Sequence, residues 1–352
     1  MFVRIASRFS IGTLGLLAVL SGCGNGSSTS VPSAANLGTP VSIAGALPDN
    51  NGKGHGSGQC KGNFTKGGGG GSKGSSGIMY TAQAYGHDVK VYSVSGSGSK
   101  LQLSYKCDVT NGVDQPDGSV STVNGWLYVA NGDGNDVLVY RTKHSLPQGP
   151  QSSLTDANLP TNVDVNPSRS VVAVSNLGTS SENGDVYVYL HRQSVESRVL
   201  KYGGSETVYG AGIAISHSGN CYWGFNDMAS DSGEIVEFPK CNGNGTLVVS
   251  GIGKVGGVVF DQSDNLYYVD TYSGIWKCAG SSSCKNITPL SGGSKPFVGP
   301  TNMNFDYKGK DLWVADPAGG YIDAIDPSSG ALENVYNTGT TDPPFGIAPE
   351  PG

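Results

Sequence analysis

Charge is scarce in this chain: 14% of its 352 residues are Asp, Glu, Lys or Arg, and the acids outnumber the bases 28 to 22. A net acidic surface has no basic stripe with which to neutralise phosphates and release counterions, which excludes nucleic acid as a partner. Histidine is scarce as well. The five, His55, His87, His144, His191 and His217, show no ligand spacing, and neither Gly-x-Ser-x-Gly nor a Ser/His/Asp order stands out, so no hydrolytic triad is legible. There is no Cys-x-x-Cys, which removes the usual signature of a structural zinc site. Helix-forming composition is absent, and the one apolar run at the N-terminus is too short to span a bilayer.

What the chain has instead is glycine, 55 residues of it, with 17 tyrosines and 37% apolar residues. That mixture suits many short strands joined by tight turns around a sizeable core. All-β propellers and barrels often exceed the usual domain length as one unit, so 352 residues do not require several domains.

Arg4 and Arg8 followed by the apolar run Ile11 to Leu20 read as a targeting segment. Leu20-Ser21-Gly22-Cys23 follows at once and resembles the lipobox of bacterial lipoproteins. That resemblance implies cleavage after residue 22, acylation of Cys23, and attachment to a membrane by two or three acyl chains; the alternative is an ordinary secretory signal with an incidental cysteine. Gly24, rather than Asp, resembles lipoproteins sent to the outer membrane of two-membraned bacteria. Loss of residues 1–22 removes two arginines and no acid, so the formal charge moves from −6 to −8. From residue 23 to 77 the chain is mostly Gly, Ser and Asn, with Val41 to Leu47 its one apolar stretch. Such a segment cannot bury enough surface to offset its ordering entropy and is expected to be a flexible tether with an end-to-end distance on the order of 40 Å.

Export lets the remaining six cysteines form disulfides. Cys221 opens one strand and Cys241 closes the next, opposite it across a hairpin; Cys278 and Cys284 flank a short loop; Cys60 and Cys107 are left to each other. A metal site is the rival reading of these cysteines.

Beyond residue 77 the chain repeats. Apolar runs recur around Tyr80, Tyr128, Val172, Tyr222, Tyr267 and Trp313, at intervals of 48, 44, 50, 45 and 46. After most of them comes an alternating run such as Asp88-Val-Lys-Val-Tyr92, Asp136-Val-Leu-Val-Tyr140 or Asp185-Val-Tyr-Val-Tyr189, a strand pattern. Ahead of five lies a shorter strand opened by Gly, Pro or Val: Pro116 to Val120, Pro160 to Asp164, Gly210 to Ala214, Val255 to Val259 and Pro300 to Asn304. The first unit lacks this strand, and its copy stands at the other end as Pro344-Phe-Gly-Ile-Ala348.

A displaced strand is what a ring of sheets uses to close without an exposed edge. The expected fold is therefore an all-β, six-bladed propeller of four-stranded blades over residues 78–352, closed by a C-terminal strand completing the first blade. The blades are read as 78–107 plus 343–349, 108–156, 157–203, 204–251, 252–293 and 294–342. At these residues, and most closely at Asn265-Leu-Tyr-Tyr-Val-Asp270 and Lys310-Asp-Leu-Trp-Val-Ala-Asp316, the chain resembles NHL-type and gluconolactonase-like six-bladed propellers. The shared motifs build blades and carry little chemistry.

In the hydrolytic members of that group a divalent metal sits at the channel mouth on Glu, Asn and Asp side chains. The resemblance directs attention to Asp117, Asn162 and Asn302, the last two in blades facing each other across the ring, as a weak oxygen site for Ca²⁺ or another divalent metal. The first-strand Glu of those lactonases has no counterpart, and asparagines that simply open strands are the rival reading. Asn131-Gly-Asp-Gly-Asn-Asp136 opens like a calcium loop, but Thr142 stands at its twelfth position, so a hairpin turn is expected. Tyr128, Tyr140, Tyr187, Tyr189, Trp223, Tyr267 and Trp313 are expected between blades.

The functional expectation is a monomeric, membrane-tethered extracytoplasmic propeller that binds a protein, glycan or small molecule without chemistry. The alternatives are a metal-dependent lactonase or related hydrolase with its site at the central channel, and a lyase like the streptogramin-cleaving propellers.

Overall fold

The computed structural model describes Cys60 and residues 77–351, apart from 84–85, 97–99, 115, 117–119, 143–146, 148, 157, 179–182, 204–207, 228, 280–286, 291–296, 307–308 and 340–341. All of these belong to the second of two units into which the chain divides, Ser57–Gly352. The signal segment, Cys23, nearly all of the tether, Asp117 and Cys284 lie outside the described residues.

The strands in chain order are β1 (Gly77–Gln83), β2 (Val89–Ser95), β3 (Gln102–Val109), β4 (Val120–Thr122), β5 (Trp126–Asn131), β6 (Asp136–Arg141), β7 (Ser152–Thr155), β8 (Pro160–Val165), β9 (Val171–Asn176), β10 (Asp185–Leu190), β11 (Arg198–Leu200) and β12 (Val208–Ile215). There follow β13 (Cys221–Asp227), β14 (Ser232–Phe238), β15 (Thr246–Ile252), β16 (Val255–Phe260), β17 (Leu266–Asp270), β18 (Gly274–Cys278), β19 (Ile287–Leu290), β20 (Asn302–Phe305), β21 (Leu312–Asp316), β22 (Tyr321–Ile325), β23 (Leu332–Asn337) and β24 (Pro344–Pro351). They form six four-stranded antiparallel sheets. Five are consecutive, and the sixth has the order β24-β1-β2-β3, with Tyr80 opposite Ala348. The fold is a six-bladed propeller closed by its C-terminal strand.

Each blade buries both faces, which is why its second strand reads as a continuous apolar run. In β5, Leu127 and Val129 pack toward the first blade while Tyr128 and Ala130 pack toward the third. Six such clusters, one at every seam, make up the core. The closing strand is tied on both flanks: Thr301 Oγ1 donates to Phe345 O at 3.0 Å and Thr122 Oγ1 to Pro349 O at 2.6 Å.

Disulfides join Cys60 to Cys107 and Cys221 to Cys241, and Cys278 is also disulfide-bonded. Cys241 does not stand opposite Cys221 in the ladder. Phe238 does, and Cys241 lies in the 3₁₀ turn Pro239–Cys241 just beyond, which brings its sulfur back to the head of β13. In the second blade the inner strand is described over Val120–Thr122, and residues 117–119 lie outside the described residues. The Asn131 to Asp136 segment is a hairpin turn, closed by Asn135 N–H on Gly132 O at 3.0 Å.

Candidate functional site

The innermost strands line the ring axis, and ladder register aligns them. Ser121 faces Tyr128, Asp164 faces Ala173, Ala214 faces Tyr222, Val259 faces Tyr267, Asn304 faces Trp313 and Ala348 faces Tyr80, defining one layer of the ring. Two residues earlier on their strands, Asn162 faces Ser175 and Asn302 faces Ala315, so these two asparagines occupy equivalent positions on opposed blades. Gly212 and Gly346 take the same position in two other blades. Counting back from Ser121, that position in the second blade is Ser119, so Asp117 stands two residues ahead of it; both lie outside the described residues.

The inner strands approach one another backbone to backbone. A Cβ on Gly212 would lie 2.5 Å from Gly256 O, and one on Gly256 2.4 Å from Thr301 O. Gly257 N–H donates to Thr301 O at 2.7 Å, and Thr161 Oγ1 to Gly210 O at 3.2 Å, binding neighbouring blades at the axis.

Asp164 is the group in this ring that sequence reasoning missed. Its Oδ2 accepts Ile215 N–H at 2.7 Å and its Oδ1 accepts Val165 N–H at 2.7 Å, with Ser121 Oγ at 3.4 Å. Burial lifts its carboxyl to about 6, against the pull of the Ile215 and Val165 N–H groups and the Ser121 hydroxyl. Nothing in the run Pro160 to Asp164 distinguishes this acid from a solvated one, because its environment comes from strands of two other blades.

Of the three channel candidates, Asp117 lies outside the described residues, and Asn162 and Asn302 are described. Asn302 Oδ1 is occupied by Met303 N–H at 2.7 Å, both oxygens of Asp164 are engaged, and the closing strand offers Gly346 where Asn162 and Asn302 stand. Among the described residues, no three His, Cys, Asp or Glu side chains come together as a metal-binding group.

A second constellation lies at the rim, where the second strand of each blade ends. Asp270 accepts Gly253, Lys254 and Tyr272 N–H groups and the Ser273 hydroxyl. Asp316 accepts Val298 N–H at 2.8 Å, Gly299 N–H at 2.9 Å and Gly319 N–H at 3.2 Å. Asn226 holds the backbone of Val255 through both amide atoms. These acids and amides are clamps on the incoming loops, which explains the Asp that ends the Leu-Tyr-Tyr-Val-Asp270 and Leu-Trp-Val-Ala-Asp316 runs. On two clamped loops sit Tyr272, 58% exposed, and Val298, 59% exposed. Phe297, next to Val298, reaches within 3.6 Å of the Cβ position of Gly274, two residues from Tyr272, so the two loops adjoin.

No family model matches the chain, and no curated protein matches it in sequence. Among solved structures, a chain of a nidogen/laminin complex superposes with TM-score 0.60 at 14% identity over 78% of this chain and 98% of its own. A calcium-binding protein, regucalcin, from Agrobacterium tumefaciens gives 0.47 at 14% identity, covering 64% and 76%. A luciferin-regenerating enzyme gives 0.47 at 14% identity, covering 64% and 77%. At this identity the likeness shows the fold alone.

Proposed function

We propose that the chain is an exported lipoprotein, anchored through Cys23 and a Gly/Ser-rich tether, whose propeller acts as a monomer that binds a protein or glycan without chemistry through a rim surface on its fifth and sixth blades. The observation that carries this reading is the pair Tyr272 and Val298, exposed at 58% and 59% on adjoining loops whose backbones are fixed by buried carboxylates. Loops held rigid on a scaffold lose little entropy on binding, and an exposed tyrosine offers a large amphipathic contact. The Leu20-Ser-Gly-Cys23 pattern supports the anchor, and the disulfides are compatible with an extracytoplasmic site.

Two measurements test it. Metabolic labelling with a fatty acid is expected to mark the wild type and not Cys23→Ala. On immobilised panels of envelope glycans and purified envelope proteins, Tyr272→Ser/Val298→Ser is expected to lose affinity by about tenfold or more at unchanged melting temperature. Binding indifferent to both substitutions would overturn the rim surface.

Asp164 favours a second reading, a hydrolase working at the axis, since a carboxyl lifted to about 6 is ionisable near neutral pH. Lactone turnover by the purified protein, lost in Asp164→Asn, would replace the non-catalytic account.

A further inference from the structure

The first blade carries a group of acids beside the strand that closes the ring. Asp88 stands at the head of β2, Asp108 in β3, and Asp342 just ahead of β24. The head of the equivalent strand in the second and third blades is also aspartate, and there an asparagine amide caps it with a hydrogen bond: Asn131 Nδ2 donates to Asp136 Oδ1 at 2.7 Å, and Asn176 Nδ2 to Asp185 Oδ1 at 2.9 Å. In the first blade the corresponding residue is Gln83, whose amide turns away to Thr81 O and Oγ1, at 2.9 and 2.7 Å. Asp88 faces a second carboxylate instead. A Cβ on Gly86 would lie 2.8 Å from Asp88 Oδ1, 2.9 Å from Asp342 Oδ2 and 3.0 Å from Asp342 Oδ1, so the two carboxylates crowd one spot although 254 residues separate them.

Three buried oxygens here, Asp88 Oδ1, Asp108 Oδ1 and Asp342 Oδ1, have no hydrogen-bond partner, and Asp108 is only 5% exposed. The countercharge is Lys90, whose Nζ lies 2.7 Å from Asp342 Oδ2 and 3.3 Å from Gln83 Oε1. His87 is exposed and paired with Asp114 at 2.9 Å. Asp88 and Asp342 form a facing pair rather than a group of three, and Asp108 adds its charge from nearby; against the one ammonium of Lys90 this leaves an excess of negative charge beside orphaned oxygens. Unpaired buried carboxylate oxygens are costly and call for a cation.

We propose that Asp88 and Asp342 bind a Ca²⁺ ion, with Asp108 supplying the third charge beside them, and that the ion fastens the closing strand β24 into the first blade. Hard oxygen donors and adjustable geometry select calcium over zinc, and over magnesium, which demands a near-ideal octahedron. The site uses neither the channel asparagines nor Tyr272 and Val298. Its two ligands come from the two ends of the propeller chain, so the ion acts where the ring is joined.

The test uses the purified full-length protein, stripped with a chelator and titrated with CaCl₂ while melting is followed. Saturating calcium is expected to raise the melting temperature by about 3–5 °C, with half-maximal effect between about 0.1 and 1 mM. Asp88→Asn and Asp342→Asn are expected to abolish the shift; in chelator Asp88→Asn should melt near the wild type, whereas Asp342→Asn also breaks the Lys90 pair and should melt lower. Asn302→Ala, at the axis, should retain it. Should a variant fail to fold, terbium luminescence of the wild type, excited through the neighbouring Tyr92 and Tyr105, reads the same site, and calcium should quench it by competition. No melting shift and no terbium signal at about 10 mM would overturn the proposal, as would a full shift in the Asp88→Asn and Asp342→Asn proteins.

Discussion

Val298, 59% exposed, hangs by its backbone N–H on the buried carboxylate of Asp316, 2.8 Å away. The same carboxylate takes the N–H groups of Gly299 and Gly319, so one side chain fixes both the loop entering the sixth blade and the turn beside it. Asp316→Ala leaves three N–H groups without their acceptor, and the expected cost is about 3 kcal/mol in urea unfolding. Binding at the rim should weaken in the same variant even though Tyr272 and Val298 remain. A loss of stability without loss of binding would show that the loop is held by something other than Asp316.

The Cys221–Cys241 bridge closes a hairpin whose ends are 20 residues apart. Constraint of the unfolded chain by a loop of that length is worth about 3 kcal/mol. Cys221→Ala/Cys241→Ala is expected to lower the unfolding free energy by about that amount while leaving the far-ultraviolet spectrum unchanged, because Cys221 is paired with Phe238 through the backbone ladder as well. Reducing buffer opens the Cys60–Cys107 and Cys278 disulfides of both proteins alike, so a gap between wild type and variant that closes on reduction would assign the effect to the Cys221–Cys241 bridge.

Much of the fold was legible because its physics is local and repeated. Aromatic residues at Tyr80, Tyr128, Tyr222, Tyr267 and Trp313 hold one ladder position in five blades, and the displaced Pro344 to Ala348 run announced the closure. The third blade has no aromatic there, and its true equivalent is Ala173, opposite Asp164, rather than Val172; in the run Val171-Val-Ala-Val174 the apolar residues do not tell one face from the other. Asn162 and Asn302 were visible from their shared Pro-Thr-Asn motif. Asp164 and the Asp88–Asp342 pair were not, since each acquires its environment from strands remote in sequence.

Gly212 illustrates a constraint that composition suggests but cannot locate. Its inner strand runs so close to that of the next blade that a Cβ would sit 2.5 Å from Gly256 O and 2.9 Å from Val258 N. Backbone atoms cannot swing aside as a side chain can, so Gly212→Ala must push two blades apart at the axis. The expected cost is about 2–3 kcal/mol, read as a lowered denaturant midpoint at unchanged slope. Gly245→Ala, which meets only the rings of Phe238 and Tyr202 at 2.9–3.1 Å, should cost less.

Asp156 gives the fold a pH dependence of definite sign. Burial raises its carboxyl to about 7, opposed by the Asn158 N–H and the Tyr189 hydroxyl, with Asp185 adding to the rise. In the unfolded chain the same group titrates near 4. Between those values the folded protein binds the extra proton, so stability is fully present below about pH 4 and is lost as pH rises toward 7, then levels off. Asp156→Asn removes this ionisation while keeping an acceptor for Asn158 N–H, which lies 3.1 Å from Oδ1. The difference in melting temperature, variant minus wild type, is therefore expected to grow by on the order of 5 °C between pH 4.5 and 7.5 and to stay constant above. A difference that does not change across that range would mean that Asp156 titrates alike in both states, and that the hydrogen bonds from Asn158 and Tyr189 offset its burial in full.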